Sequence, residues 1–190
     1  MTENSSNITP SAFRRTMGLF ATGVTVMLTE ADSDVHGMTA NAVSSLSLDP
    51  MLILICVKKG SRTAELVQKA KYFSINFLGA HQEALSNYFA GIKTGKKVDF
   101  QIEPWKQGKR LNNCLAAVLC SLANITEGGD HWIVIGKVED LYINENSTEP
   151  LLVFGGSYHT LGAQPIAPAP DTWEPLSNIP QIFYDPWENQ

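Results

Sequence analysis

Two segments of the 190-residue chain carry side chains suited to holding a ligand. The first is Gly37–Pro50, GMTANAVSSLSLDP. Read as one extended strand, it puts Thr39, Asn41, Val43, Ser45 and Ser47 on one face. Ala40, Ala42, Ser44, Leu46 and Leu48 take the other. Small side chains and hydroxyls let a planar molecule approach the backbone, whose N–H and C=O groups can bond a polar ring edge. An ordinary strand with closely packed small residues has the same spacing. The second segment is Lys58–Thr63, KKGSRT. Two lysines, an arginine and two hydroxyls surround a helix start, where unpaired N–H groups and the helix dipole favour anions. A phosphate held by Ser61, Arg62 and Thr63 fits this turn; a solvated basic turn with a capping serine fits it equally. The buried-type strand Met51–Val57 joins the two segments, so a ring pocket and a phosphate pocket can share one strand.

Other chemistry is missing from the sequence. There is no GxGxxG, no GxxxxGK[ST], no GxSxG and no HExxH. The four histidines, His36, His81, His131 and His159, lack metal-ligand spacing, and no acidic pair sits in a catalytic frame. Cys56, Cys114 and Cys120 form no CxxC pair, so neither a disulfide nor a zinc site is expected. An enzyme of this composition needs an organic cofactor for the difficult step and supplies binding and orientation itself.

The pattern along the chain gives the elements that must position these residues. Residues 1–9 are polar and expected to be disordered. Pro10 and Ser11 open a short helix with Phe13, Met17 and Phe20 at helical spacing. Strands are expected over 22–29, 38–48, 51–57, 72–78, 114–126, 132–143 and 151–154. Helices are expected from the Ser61 cap to about Lys71, and from about His81 to Ala90. Residues 91–113, rich in glycine and lysine, read as a mobile excursion. Seven strands that do not alternate with helices disfavour a doubly wound parallel sheet and favour a mainly β, mostly antiparallel barrel. After Ala163 the composition changes: six of the ten prolines and two tryptophans lie there, a C-terminal extension too short for its own core. Its aromatics, Trp173, Phe183, Tyr184 and Trp187, favour docking over a loose tail.

Composition bounds the function. Apolar residues make up 44%, enough for a core, while charged residues are only 17%, so a surface patch covered by a second subunit is expected. A net charge of −5 argues against nucleic-acid binding. No apolar run is long enough to cross a bilayer, and the N-terminal residues lack a signal pattern, so a cytoplasmic location is expected.

Five stretches then resemble the flavin reductase-like family in order: Phe20–Val26 (FATGVTV), Thr39–Asn41, Ser44–Pro50 (SSLSLDP), Lys59–Thr63 and Gly129–His131. The resemblance covers roughly residues 12–162. It implies an FMN-binding split β-barrel of Greek-key antiparallel type with a few short flanking helices, usually a homodimer with flavin sites near the subunit interface. It implies an NAD(P)H:flavin oxidoreductase that supplies reduced flavin to a partner monooxygenase. By position, it places Thr39, Ala40, Asn41, Ala42, Ser44, Ser45 and Leu46 against the isoalloxazine and ribityl chain, with Cys56, Val57 and Lys58 lining the same pocket. Ser61, Arg62 and Thr63 take the phosphate. Asn76 and Phe77 lie in the following strand, and Phe89 and Gly91 end the helix near the flavin. His131 faces the nicotinamide, and Tyr158 borders the site. Two departures touch the nicotinamide: Trp132 follows Gly-Asp-His where the family often has a small residue, and Phe154–Tyr158 replaces an arginine-containing turn. FMN or FAD as flavin, and NADH or NADPH as donor, stay open. So do two rival readings, a flavin-retaining oxidase on the same barrel and a non-catalytic flavin-binding protein.

Overall fold

A computed structural model describes residues 8–95, 97–147 and 149–162. Residues 1–7 of the start expected to be disordered over 1–9, and the extension from 163 onward, lie outside the described residues. The chain divides into Met1–Thr160 and Leu161–Gln190, and the elements below belong to the first unit.

Helix α1 (Pro10–Met17) precedes the short strand β1 (Thr22–Gly23), then β2 (Thr25–Ala31) and β3 (Asp34–Ala40). Next come β4 (Val43–Leu48), β5 (Met51–Lys58), α2 (Arg62–Lys69) and β6 (Tyr72–Phe77). A 3-10 turn leads into α3 (Glu83–Phe89), followed by the hairpin β7 (Ile102–Trp105) and β8 (Gly108–Leu111). Long strands β9 (Ala116–Gly128) and β10 (His131–Ile143) form a second hairpin, and β11 (Leu152–Phe154) pairs with β12 (Ser157–His159).

Seven strands form one antiparallel sheet in the order β3-β2-β6-β9-β10-β5-β4. Its edge strands, β3 and β4, are consecutive in sequence and joined by only Asn41 and Ala42. Laid flat, six inter-strand steps of about 4.8 Å would separate those edges by about 29 Å. Three Cα–Cα steps span at most about 11 Å. The sheet therefore curls, and the architecture is a split barrel whose two edges meet at the Asn41–Ala42 corner.

Burial follows from the curl. Met27, Ile53, Ile55, Val57, Phe73, Ile75, Cys120 and Val134 fill the interior, and Ala64 and Val67 of α2 pack against them. The opposite faces of β2, β6 and β9 carry Val26, Leu28 and Ala117, which pack with Leu85 of α3 and Leu111 of β8. Strand β2 is thus buried on both faces. The outer face of β5 and β10 differs: Leu52, Leu54, Cys56, Ile133 and Ile135 stay half-exposed. Burial pushes the Cys114 thiol up to about 11 and the Cys120 thiol to about 12.

Helix α1 starts where the sequence predicts. Thr9 caps it by accepting from Ala12 N at 3.1 Å, with Pro10 at the first position. None of its residues is buried, and Phe13 is 63% exposed.

Four sequence expectations differ from the structure. The strand expected over 38–48 is two strands, because the chain crosses there from one sheet edge to the other. The strand expected over 22–29 divides at Val24, whose N–H bonds Leu151 while its carbonyl bonds Leu78. The excursion 91–113 contains the hairpin β7–β8, tied to the sheet by Ser74 Oγ donating to Lys109 O at 2.6 Å. Strand β12 is an addition. An alternating pattern reports faces, not corners or changes of partner, so it misses each of these.

Candidate flavin site

The two ligand-suited segments are neighbours. Cys56 N donates to Ala42 O at 3.0 Å, while Val43 faces Ile55 and Ser44 faces Leu54. The Asn41–Ala42 corner therefore lies beside the C-terminal end of β5. From Lys58 the chain turns through Gly60, at φ 71°, into α2. Arg62 Nη2 then reaches Asp34 Oδ2, at the start of β3, at 2.5 Å. Strand β3 with its corner and the β5–α2 turn thus form two sides of one strip.

The turn offers both kinds of anion donor. The first intrahelical bond is Glu65 N to Ser61 O at 3.2 Å, so the N–H groups of Arg62 and Thr63 precede it and make no intrahelical bond. Ser61 Oγ donates to Lys58 O at 2.7 Å and accepts from Ala64 N at 3.2 Å, so it shapes the turn and has one lone pair left. Thr63 is only 1% exposed, and its side chain belongs to the inner face of α2. The Arg62 guanidinium is half-exposed and also pairs with Glu65 at 3.0 Å. Asp34 first, then Glu65, holds its pKa above the ordinary value.

On the other flank of β5, Lys58 faces His131 and Cys56 faces Ile133. The pleat puts these four side chains on the outer face, opposite Val57 and Val134, which point into the interior. Val57 can therefore meet a ligand only through its backbone. Lys59 N donates to Asp130 O at 3.0 Å, locking the β9–β10 turn onto the β5–α2 turn. His131 Nδ1 lies 2.8 Å from Asp130 Oδ1, and its side chain is 39% exposed. With Nδ1 engaged by Asp130, Nε2 is the ring nitrogen left for another partner. The His131 hydrogen bond holds the Asp130 carboxyl below the usual carboxylate range. Trp132 carries Lys59 Nζ 4.8 Å from its ring centre, and the same ammonium pairs with Glu127 at 3.3 Å.

The other sequence-predicted residues fall into three groups. Ala40, Asn41, Ala42, Ser44, Ser45 and Leu46 line the β3–β4 side. Asn41 Nδ2 donates to Thr22 Oγ1 at 3.2 Å, Ser44 Oγ to Ser45 O at 3.0 Å, and Leu46 sits where the ladder shifts register. The second group supports β3 from behind. Thr39 Oγ1 donates to Ser86 O at 2.7 Å, Ser86 Oγ lies 2.8 Å from Tyr158 Oη, and that hydroxyl donates to Asn87 Oδ1 at 3.2 Å. Phe89 packs so closely on β3 that a Cβ at Gly37 would collide with its ring. Gly91, at φ 74°, ends this helix. The third group is turned away from the strip. Asn76 is fully buried on the covered face of β6, and Phe77 packs against the interior. Sequence reasoning missed Asp34, Asp130 and Ser86. Asp130 was readable inside Gly-Asp-His; Asp34 lies 28 residues from its partner and left no local signal.

At the split itself, a cleft of about 620 Å³ opens between Thr25, Asn41, Ser45, Met51, Phe77 and Leu141. It adjoins the strip at Asn41 and Ser45.

A family profile described as "Flavin reductase like domain" matches residues 17–162. An NADH-dependent flavin reductase of Rhodococcus is 33% identical over 158 residues, covering 81% of this chain and 88% of its own length. The reductase component of a Thermus thermophilus 4-hydroxyphenylacetate 3-monooxygenase is 35% identical over 150 residues, with 79% and 95% covered. Among solved structures, flavin reductase PheA2 superposes with a TM-score of 0.77 at 41% identity, over 82% of this chain and 99% of that one. The Streptomyces globisporus NADH:FAD oxidoreductase SgcE6, in complex with NAD and FAD fragments, gives 0.73 at 30% identity, over 80% and 93%. With fold, motif order and profile in agreement, the chain belongs to the flavin reductase-like family.

Proposed function

We propose that the chain is an NADH-dependent flavin reductase that passes reduced flavin to a monooxygenase partner. The observation that carries this reading is the strip: a close-approach backbone edge at Ala40–Leu46, and a basic helix start held against the same strand by the Arg62–Asp34 pair. The flavin, when bound, accepts a hydride from the reduced nicotinamide. The chain's part is to bind and align. Ala40 to Ala42, Ser44 to Leu46, Cys56 and Lys58 would hold the ring and ribityl chain. Ser61, Arg62 and Thr63, at the start of α2, would hold the phosphate. His131 would orient the nicotinamide through Nε2. FMN is the flavin these residues suit, and the FAD fragments bound to SgcE6 favour FAD as a second acceptor. Relatives named as reductase subunits of monooxygenases, including HsaB of Mycobacterium tuberculosis at 32% identity over 171 residues, support the partner. Exposed Leu48, Met51, Leu141 and Ile143 beside the cleft favour a second copy of the chain as its cover.

A steady-state assay crossing NADH and NADPH with riboflavin, FMN and FAD tests the activity. Nicotinamide oxidation that depends on added flavin, faster with NADH, is the expected result. No turnover in any of the six combinations removes the reductase reading.

Thiol labelling tests the ring pocket separately. Cys56 is half-exposed, whereas Cys114 and Cys120 are buried. Iodoacetamide at pH 8 should modify only Cys56 in the folded protein, and saturating FMN should slow that reaction several-fold. Equal rates with and without FMN would take Cys56 out of the pocket.

A further inference from the structure

Arg62 lies on the phosphate turn, yet its guanidinium already has two carboxylate partners. Nη2 donates to Asp34 Oδ2 at 2.5 Å, and Nη1 donates to Glu65 Oε2 at 3.0 Å. The partners differ in origin. Glu65 sits three residues on in the same helix, half-exposed, on a side chain that can swing into solvent. Asp34 comes from the sheet, where a tight hairpin sets its backbone position. Asp32 and Ser33 take left-handed φ values of 54° and 64°, closing a two-residue turn in which Ala31 faces Asp34. That geometry places a carboxylate on the guanidinium a nucleotide phosphate would use. A phosphate arriving at α2 must share or displace this bond and accept a negative charge beside its own.

We propose that Asp34 acts as a competing anion: it shares Arg62 with the phosphate of a flavin nucleotide, weakens the grip on that phosphate, and favours release of the nucleotide. The inference rests on reading Lys58–Thr63 as the phosphate turn. It gives the ion pair a purpose suited to a protein whose product must leave for another enzyme. Its expected size is modest. Solvent screens an exposed ion pair, so its loss should change Kd by at most about five-fold.

The test is equilibrium titration of riboflavin, FMN and FAD, followed by flavin fluorescence, with the parent, Asp34→Asn and Arg62→Ala. Asp34→Asn keeps the shape of a half-exposed side chain and should fold; Asp34→Ser serves as a second variant expected to move in the same direction. Both should tighten FMN and FAD about two- to five-fold, leave riboflavin unchanged, and lose most of their effect near 1 M salt. Arg62→Ala should weaken FMN and FAD but not riboflavin. Unchanged FMN affinity in both Asp34 variants, with weaker binding in Arg62→Ala, overturns the competition while the phosphate turn stands. Equal tightening of riboflavin also overturns it, because the effect would then act on the ring pocket. If Arg62→Ala changes FMN no more than riboflavin, the phosphate turn itself is misplaced and the inference fails with it.

Discussion

Replacing Asn76 with alanine is expected to cost the fold about 3–5 kcal/mol and to leave the FMN affinity of the folded protein unchanged. Position in the sequence assigned Asn76 to the cofactor, but its amide is fully used inside the protein. Nδ2 donates to Val26 O at 3.0 Å and to Ser74 Oγ at 2.9 Å. Oδ1 accepts from Leu111 N at 2.9 Å, and the Cys114 thiol lies 4.0 Å away. The residue is fully buried, so its truncation leaves the Leu111 N–H and the Val26 carbonyl short of a partner where water does not reach, while Ser74 Oγ keeps its bond to Lys109 O. Each such orphan costs about 1–3 kcal/mol, and the side chain's volume is lost as well. The network also tethers β8 to β6, so the β7–β8 hairpin should become the first segment cut by protease. Urea unfolding of Asn76→Ala and parent, with FMN titration of each below the transition, measures both effects. A loss under 1 kcal/mol, or a ten-fold weaker FMN affinity in a fully folded variant, would return Asn76 to the site.

Asn76 also marks what the sequence can show. Its neighbours Phe73, Ile75 and Phe77 alternate, so the strand and its inward face were legible. The outward face was not, because what covers it, Leu85 and Leu111, comes from segments up to 35 residues away. The same limit explains Thr63 and Val57. Their types suit a ligand, but helix phase and pleat turn both side chains inward. Ser61 was readable as a cap because capping is local, three residues apart. The Arg62–Asp34 pair was not, because it depends on a barrel corner bringing β3 back along the β5–α2 turn. Local chemistry was therefore visible, and the pairing of distant segments was not. The motif order supplied by the family resemblance stood in for that missing information, since it placed Thr39–Asn41 and Lys59–Thr63 in one site before any contact between them was known.

Exchanging His131 for asparagine is expected to lower kcat/KM for NADH about 10- to 100-fold and to change the Kd for FMN less than two-fold. The position supports this split. His131 lies on the outer face of β10, one strand across from Lys58 and diagonal to Cys56, at the margin of the strip. Nδ1 is held by Asp130, and Lys59 N fixes the carbonyl of Asp130, so the ring is oriented by the same turn that shapes the phosphate end. Strong acid chemistry is not required of it, because a reduced flavin exchanges its proton with solvent. The contribution expected of it is alignment, through one hydrogen bond of about 1.5–3 kcal/mol, which corresponds to the stated range. Asparagine keeps a donor but at a shorter reach, so NADH should bind in a poorer pose, raising KM and lowering kcat together. Asp130→Asn should give a smaller loss of the same kind. The Asp130 carboxyl is held below the usual range by its bond to His131, so its half of the pairing is lost as pH falls through that depressed value. Stopped-flow reduction of bound flavin separates the steps: parent and variant should differ in the NADH-dependent phase and agree in FMN binding. If kcat/KM stays within two-fold of the parent, the nicotinamide docks elsewhere. Parallel losses in FMN affinity and in turnover would instead make His131 part of the flavin pocket.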